Sequence, residues 1–194
     1  MSTAFTLPDN AFIVRIPMRR LVVLNVLLTA VAVVSEMVAF RGIHSTRPDL
    51  SIPTLGYALL LIALHEASHA LGWIIRGIPA RKIKFGIHWR VLAPYAHCAI
   101  PVPMSSYRLT LVLPLFTTGC LPVILGLSQA DPDLAFIGAF MIGGAAADLA
   151  MLEASICFHG NVQVQDHPSA PAFIILNKSN IESPDVQIQD TALS

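Results

Sequence analysis

Tyr57-Ala-Leu-Leu-Leu-Ile-Ala-Leu-His65-Glu66-Ala-Ser-His69-Ala-Leu-Gly-Trp-Ile-Ile75 is the stretch on which the reading of this chain turns. It holds a His-Glu-x-x-His pattern inside an apolar run. On a helix, His65 and His69 lie four residues apart and project from one face, a turn from each other. Two imidazoles so placed can share one Zn²⁺, with Glu66 between them in reach of a water on that metal as general base. A soluble helix could carry the same residues on a wet face without consequence. A membrane helix could not, because each central ionisable side chain costs about 2.5–3.5 kcal/mol on insertion scales. Three such groups in five residues therefore point to a site. A metal centre is the first reading, with a proton relay or a structural polar cluster as the alternatives.

Composition agrees with a membrane setting. Of 194 residues, 55% are hydrophobic and 12% charged, about half the charged share of a soluble domain. Mean hydropathy is +0.67. The net charge is zero, so no basic excess marks a nucleic-acid partner, and none is expected. Cys98, Cys120 and Cys157 are odd in number and form no C-x-x-C pair, which argues against a disulfide framework and for small buried hydrophobes.

Outward from the motif, the chain divides into about four spans, at residues 21–40, 53–76, 107–127 and 134–158. The expected fold class is an all-α membrane protein, with residues 1–176 as one integral membrane domain. Arg19-Arg20 followed by an apolar run and Ala30-Val31-Ala32 resembles a signal peptide, but the run continues well past that point and predicts an uncleaved span. Glu36, near the far end of this span, is expected to snorkel to the interface. Before it, Phe12–Ile16 is expected to form a short interfacial piece. Residues 82–102 alternate in the manner of strands, with Ala93-Pro94 as the expected turn, and predict a β-hairpin after the second span. Pro114, Gly119 and Pro122 suggest kinks in the third span, and Gly143, Gly144 and Ala145–Ala147 allow close packing in the fourth. Val162–Gln165 and Ala172–Leu176 predict a second short hairpin. Residues 177–194 are polar and expected to be disordered.

Lys and Arg count ten on the side that holds the termini and the 76–106 loop, against two on the other. The positive-inside rule then places both termini and the hairpins in the cytoplasm. The second and fourth spans run in the same direction. Ala67 lies roughly 14 Å of helix before Arg76, and Asp148 roughly 15 Å before Phe158. Asp148 thus falls at the depth of the histidine pair. A catalytic zinc site uses three protein ligands and leaves a fourth position open, which makes Asp148 the candidate third ligand. A helix-interior polar contact is the other reading of Asp148. Glu153 is the rival ligand, expected to be solvated or paired with a basic residue. His88, His97 and His159 read as surface histidines, with His97 near enough in the hairpin to approach the site.

His65-Glu66-x-x-His69, Lys84-Phe85-Gly86, Pro114, Gly143-Gly144 before Asp148, and Asp166-His167-Pro168 together resemble the integral-membrane zincin metallopeptidases, a family catalogued mainly as a domain of unknown function. A more distant resemblance is to site-two proteases, which pair such a helix with an Asp from a later span. There the Asp stands beside Asn-Pro or Gly, whereas Leu149 follows Asp148 here. The resemblance implies Zn²⁺ held by His65, His69 and Asp148, with Glu66 catalytic. It implies peptide-bond hydrolysis in a membrane-associated protein or peptide substrate. The expected setting is a multi-pass place in the lipid bilayer of a bacterial inner membrane. The competing class is a non-catalytic metal-binding scaffold, or a metal or proton transporter.

Overall fold

The computed structural model describes residues 11–45, 52–88, 93–167 and 171–176. The expected tail from Asn177 lies outside them. Among the described residues, three helices are long and apolar enough to cross a membrane: α1 (Met18–His44), α2 (Ile52–Ile75) and the continuous helix Met104–Gln129. The third consists of α3 (Met104–Pro114), a π-helical segment (Leu115–Cys120) and α4 (Leu121–Gln129). Pro114 and Pro122 flank the π-helical turn; neither has an N–H to donate to the i→i−4 ladder, and the helix adjusts by widening.

The fourth expected span is not one straight helix. α5 (Pro132–Gly144) and α6 (Ala146–Ser155) meet at a 40° bend at Ala145. Asn25 of α1 donates its Nδ2 hydrogen to the Gly143 carbonyl at 2.8 Å, satisfying a backbone group near the break. A Cβ on Gly143 would run into Thr29, so glycine is what lets α1 and α5 touch there.

Local chemistry sets the element ends. Pro17 opens α1, its carbonyl accepting from the N–H groups of Arg20 and Leu21. Gly77, at φ +82°, closes α2: its N–H reaches Ile74 and the Ile78 N–H reaches Trp73, satisfying two end carbonyls. Asp131 caps α5 by accepting from Leu134 N–H at 3.0 Å, with Pro132 in the first turn. Tyr57 and Thr54 donate to Asp131 and Asp133, tying the start of α2 to the start of α5. Arg108 of α3 donates to the carbonyls of Ser155 and Phe158, locking the end of α6 against α3.

The chain holds more sheet than an all-α description allows. β1 (Ala11–Arg15), β4 (Val102–Pro103), β5 (Gln163–Asp166) and β6 (Ala172–Leu176) form one antiparallel sheet in the order β1-β6-β5-β4. The expected C-terminal hairpin is there as β5–β6. The Phe12–Ile16 stretch begins as a strand: residues 11–15 pair along all of β6 from Ala11↔Leu176 to Arg15↔Ala172. Phe12, Val14, Val164, Phe173 and Ile175 are buried in one core with Trp73, Tyr107 and Phe158, so the sheet packs over the ends of α2, α3 and α6.

The expected hairpin after α2 is β2 (Ile83–His88) with β3 (Ala93–Cys98). Residues 89–92, between the two strands, lie outside the described residues. Ala93 and Pro94 belong to β3 rather than to the turn.

Glu36 also departs from expectation. It does not snorkel: it is 3% exposed, and neither carboxylate oxygen has a hydrogen-bond partner among the described residues. Helix periodicity turns Glu36 to the face of α1 that carries Asn25 and Thr29 toward α5. The opposite face of α1 is apolar and open, with Val31 and Val38 about two-thirds exposed, a surface suited to lipid rather than water.

Candidate metal centre

His65 and His69 of α2 and Asp148 of α6 converge. His65 Nε2 lies 3.2 Å from Asp148 Oδ2, and His69 Nε2 lies 3.5 Å from Asp148 Oδ1. One ligand atom from each residue falls within 4.8 Å of the others. Asp148 reaches this point because the bend at Ala145 restarts the helix, which puts it in the first turn of α6. There the helix dipole favours a carboxylate. The side chains of His65, His69 and Asp148 are about nine-tenths buried.

The far side of each imidazole is held. His69 Nδ1 lies 3.0 Å from the Thr110 carbonyl, which can only accept, so Nδ1 carries the proton. His65 Nδ1 lies 3.4 Å from Thr118 Oγ1, whose own hydrogen goes to the Pro114 carbonyl at 2.8 Å. Both Nδ1 atoms are thereby turned to oxygens outside the cluster, and both Nε2 atoms face Asp148. Two imidazole nitrogens and a carboxylate brought to one point suit a divalent cation, and the His₂-carboxylate chemistry fits zinc.

Glu66 lies beside the cluster, partly buried, with Ala96 of β3 lining the same cavity. Glu66, His65, His69, Asp148 and Asp166 line one cavity of about 370 Å³. Trp73 completes its apolar wall; its indole N–H has no partner among the described residues. Gly72 makes the close approach of α2 to α3 possible. A Cβ there would stand 3.0 Å from Thr110 Cα, the residue whose carbonyl holds His69.

The other sequence candidates fall elsewhere. Glu153 is exposed, and its carboxylate is taken by Arg20 at 2.6 Å. His159 is exposed and bonds the nearby Cys157 carbonyl. The His88 side chain lies outside the described residues. His97 approaches the site through Asp166, with Nδ1 3.8 Å from Asp166 Oδ2. Asp166 entered the sequence reading only within Asp166-His167-Pro168, as part of the family resemblance and not as a site residue. Burial pushes its carboxyl above the usual carboxylate range, against the stabilising hydrogen bond from Cys98 N–H.

Apolar helices long enough for a membrane, carrying a buried His-His-carboxylate cluster beside a glutamate, define a membrane-type chain with a candidate zincin centre. A family model described as "Putative zincin peptidase" matches residues 58–161, more than half of the chain, and the chain belongs to that family. The match spans the histidine pair, Glu66 and Asp148. Comparison with curated proteins and with solved structures gave no match.

Proposed function

We propose that this chain is a membrane-embedded zinc metallopeptidase that hydrolyses peptide bonds of a membrane-associated protein substrate. The observation that carries the reading is the convergence of the two Nε2 atoms on Asp148, with Glu66 beside them in the same cavity. The Lys and Arg distribution supports an inner-membrane orientation with both termini cytoplasmic.

His65, His69 and Asp148 would hold the metal. Zinc bound there supplies Lewis acidity, which brings a water's pKa toward ~7 and polarises a carbonyl. Glu66 takes the proton of the attacking water and returns it to the leaving amine. Thr110 and Thr118 keep both imidazoles in the ligating tautomer. A helical substrate hides its scissile carbonyl in backbone hydrogen bonds and must unwind locally. The edge of β3 beside Glu66 then holds the unwound segment by strand addition. Glu36, on which a transport reading would draw, does not line the cavity around the cluster.

The test is elemental analysis of purified wild type, Glu66→Ala and Asp148→Ala in detergent. Wild type and Glu66→Ala should each hold about one zinc per chain, and Asp148→Ala should lose it. Wild type without zinc even after reconstitution would refute the peptidase reading.

A further inference from the structure

β3 turns its outer backbone edge to the cavity, and an acid that the metal reading leaves unused sits on that edge. Ala99 N–H donates to the Lys82 carbonyl at 2.9 Å, continuing the β2–β3 register. Antiparallel alternation then turns the backbone groups of Tyr95 and His97 toward β2 and those of Pro94, Ala96 and Cys98 away from it. Pro94 suits the outward position, where its missing N–H removes no ladder bond. One outward N–H ends on a carboxylate: Cys98 donates to Asp166 Oδ2 at 3.3 Å.

Asp166 is the last residue of β5, so its carboxylate is carried by the four-stranded sheet rather than by the hairpin. His97 Nδ1 is 3.8 Å away; the Tyr107 hydroxyl of α3, which lines the same cavity, donates instead to Met151 Sδ at 3.5 Å. One carboxylate therefore joins the sheet to the outward edge of β3, within the cavity that holds Glu66 and the cluster.

We propose that Asp166 is a positioning residue: it clasps the edge of β3 beside the metal cluster and ends the stretch of edge on which an extended peptide can pair. With Cys98 N–H occupied, a bound peptide pairs with the Pro94 carbonyl and the backbone groups of Ala96, and its register stops at Asp166. That consequence for substrate rests on the peptidase reading; the clasp itself does not.

Cys98 reports on the clasp directly, because its thiol is buried, with 1% of the residue exposed, in the core beneath the hairpin. The experiment measures N-ethylmaleimide labelling of the full-length protein in detergent, read by mass spectrometry of the Cys98 peptide, with Cys157 as internal reference. Asp166→Ala leaves a buried N–H without an acceptor and should speed Cys98 labelling about tenfold, with Cys157 unchanged. Asp166→Asn keeps one acceptor oxygen of two and should speed it about threefold. Wild-type labelling of Cys98 in the variants, or a parallel rise at Cys157, would overturn the proposal. If Asp166→Ala does not fold, Asp166→Asn decides by the same readout.

On a cleaved peptide, Asp166→Asn should raise KM more than it lowers kcat, with zinc content unchanged. Loss of zinc in that variant would put Asp166 in the metal centre and refute a positioning role. Wild type that cleaves no peptide would count against the peptidase reading alone, and the labelling rates would still decide the clasp.

Discussion

Thr118→Val tests the claim that the far side of His65 sets its metal-binding face. Thr118 is fully buried and its hydrogen is committed to the Pro114 carbonyl, so only a lone pair is left for His65 Nδ1–H. Valine preserves the shape and removes that acceptor. The ring must then either bury an unsatisfied N–H, at about 1–3 kcal/mol, or move its proton to Nε2, where a metal would bind. Loss of such an outer partner typically costs 10–100-fold in metal affinity, or about 1.4–2.8 kcal/mol. The contact is long, 3.4 Å, which puts the expected loss at the low end, about tenfold. The assay is zinc Kd by competition with a chromophoric chelator. Thr117→Val is the control. Its hydroxyl pairs with Ser68 Oγ at 2.6 Å and touches neither histidine, so its Kd should stay at the wild-type value. Unchanged affinity in Thr118→Val, or an equal loss in Thr117→Val, would refute the reasoning.

Three further outcomes follow from the packing and the titrating groups. Gly72→Ala forces a Cβ to 3.0 Å from Thr110 Cα; it should lower the thermal midpoint by an overpacking cost of about 1–3 kcal/mol and weaken zinc binding through His69, and a wild-type midpoint would contradict the tight α2–α3 approach. Glu36→Leu removes a buried carboxylate with no partner among the described residues and should raise stability in detergent by about 1–3 kcal/mol, read as a higher thermal midpoint; a fall would mean that the acid is compensated in the fold. His167 is held below the ordinary imidazole pKa by burial and by the Arg15 cation. The unfolded chain therefore binds its proton first, so His167 should cost stability as pH falls below about 6.5. His167→Gln should flatten that acid limb in thermal melts taken across pH, and an unchanged limb would sink the assignment.

The sequence by itself determined the features that depend on local spacing. His65 and His69 share a face because the helix repeats every 3.6 residues, and apolar run lengths marked the three long helices. Alternation in residues 82–102 and 162–176 announced both hairpins. Even the meeting of Asp148 with the histidines was legible, since rise per residue converts position along a span into depth.

What the tertiary structure decided depends on contacts between residues far apart in the chain. Gly143-Gly144 read as a packing stripe, yet the helix bends beside them at Ala145, and that bend puts Asp148 in a first turn. Residues 11–15 became a strand because Leu176 and its neighbours offer an edge more than 150 residues away. Glu36 looked free to reach the interface until α1 turned it inward. Asp166 was one residue of a short motif until β5 carried it to the edge of β3. Hydrogen-bond partners and burial come from how elements pack, and a period of two or 3.6 carries no information about which distant partner a face will meet.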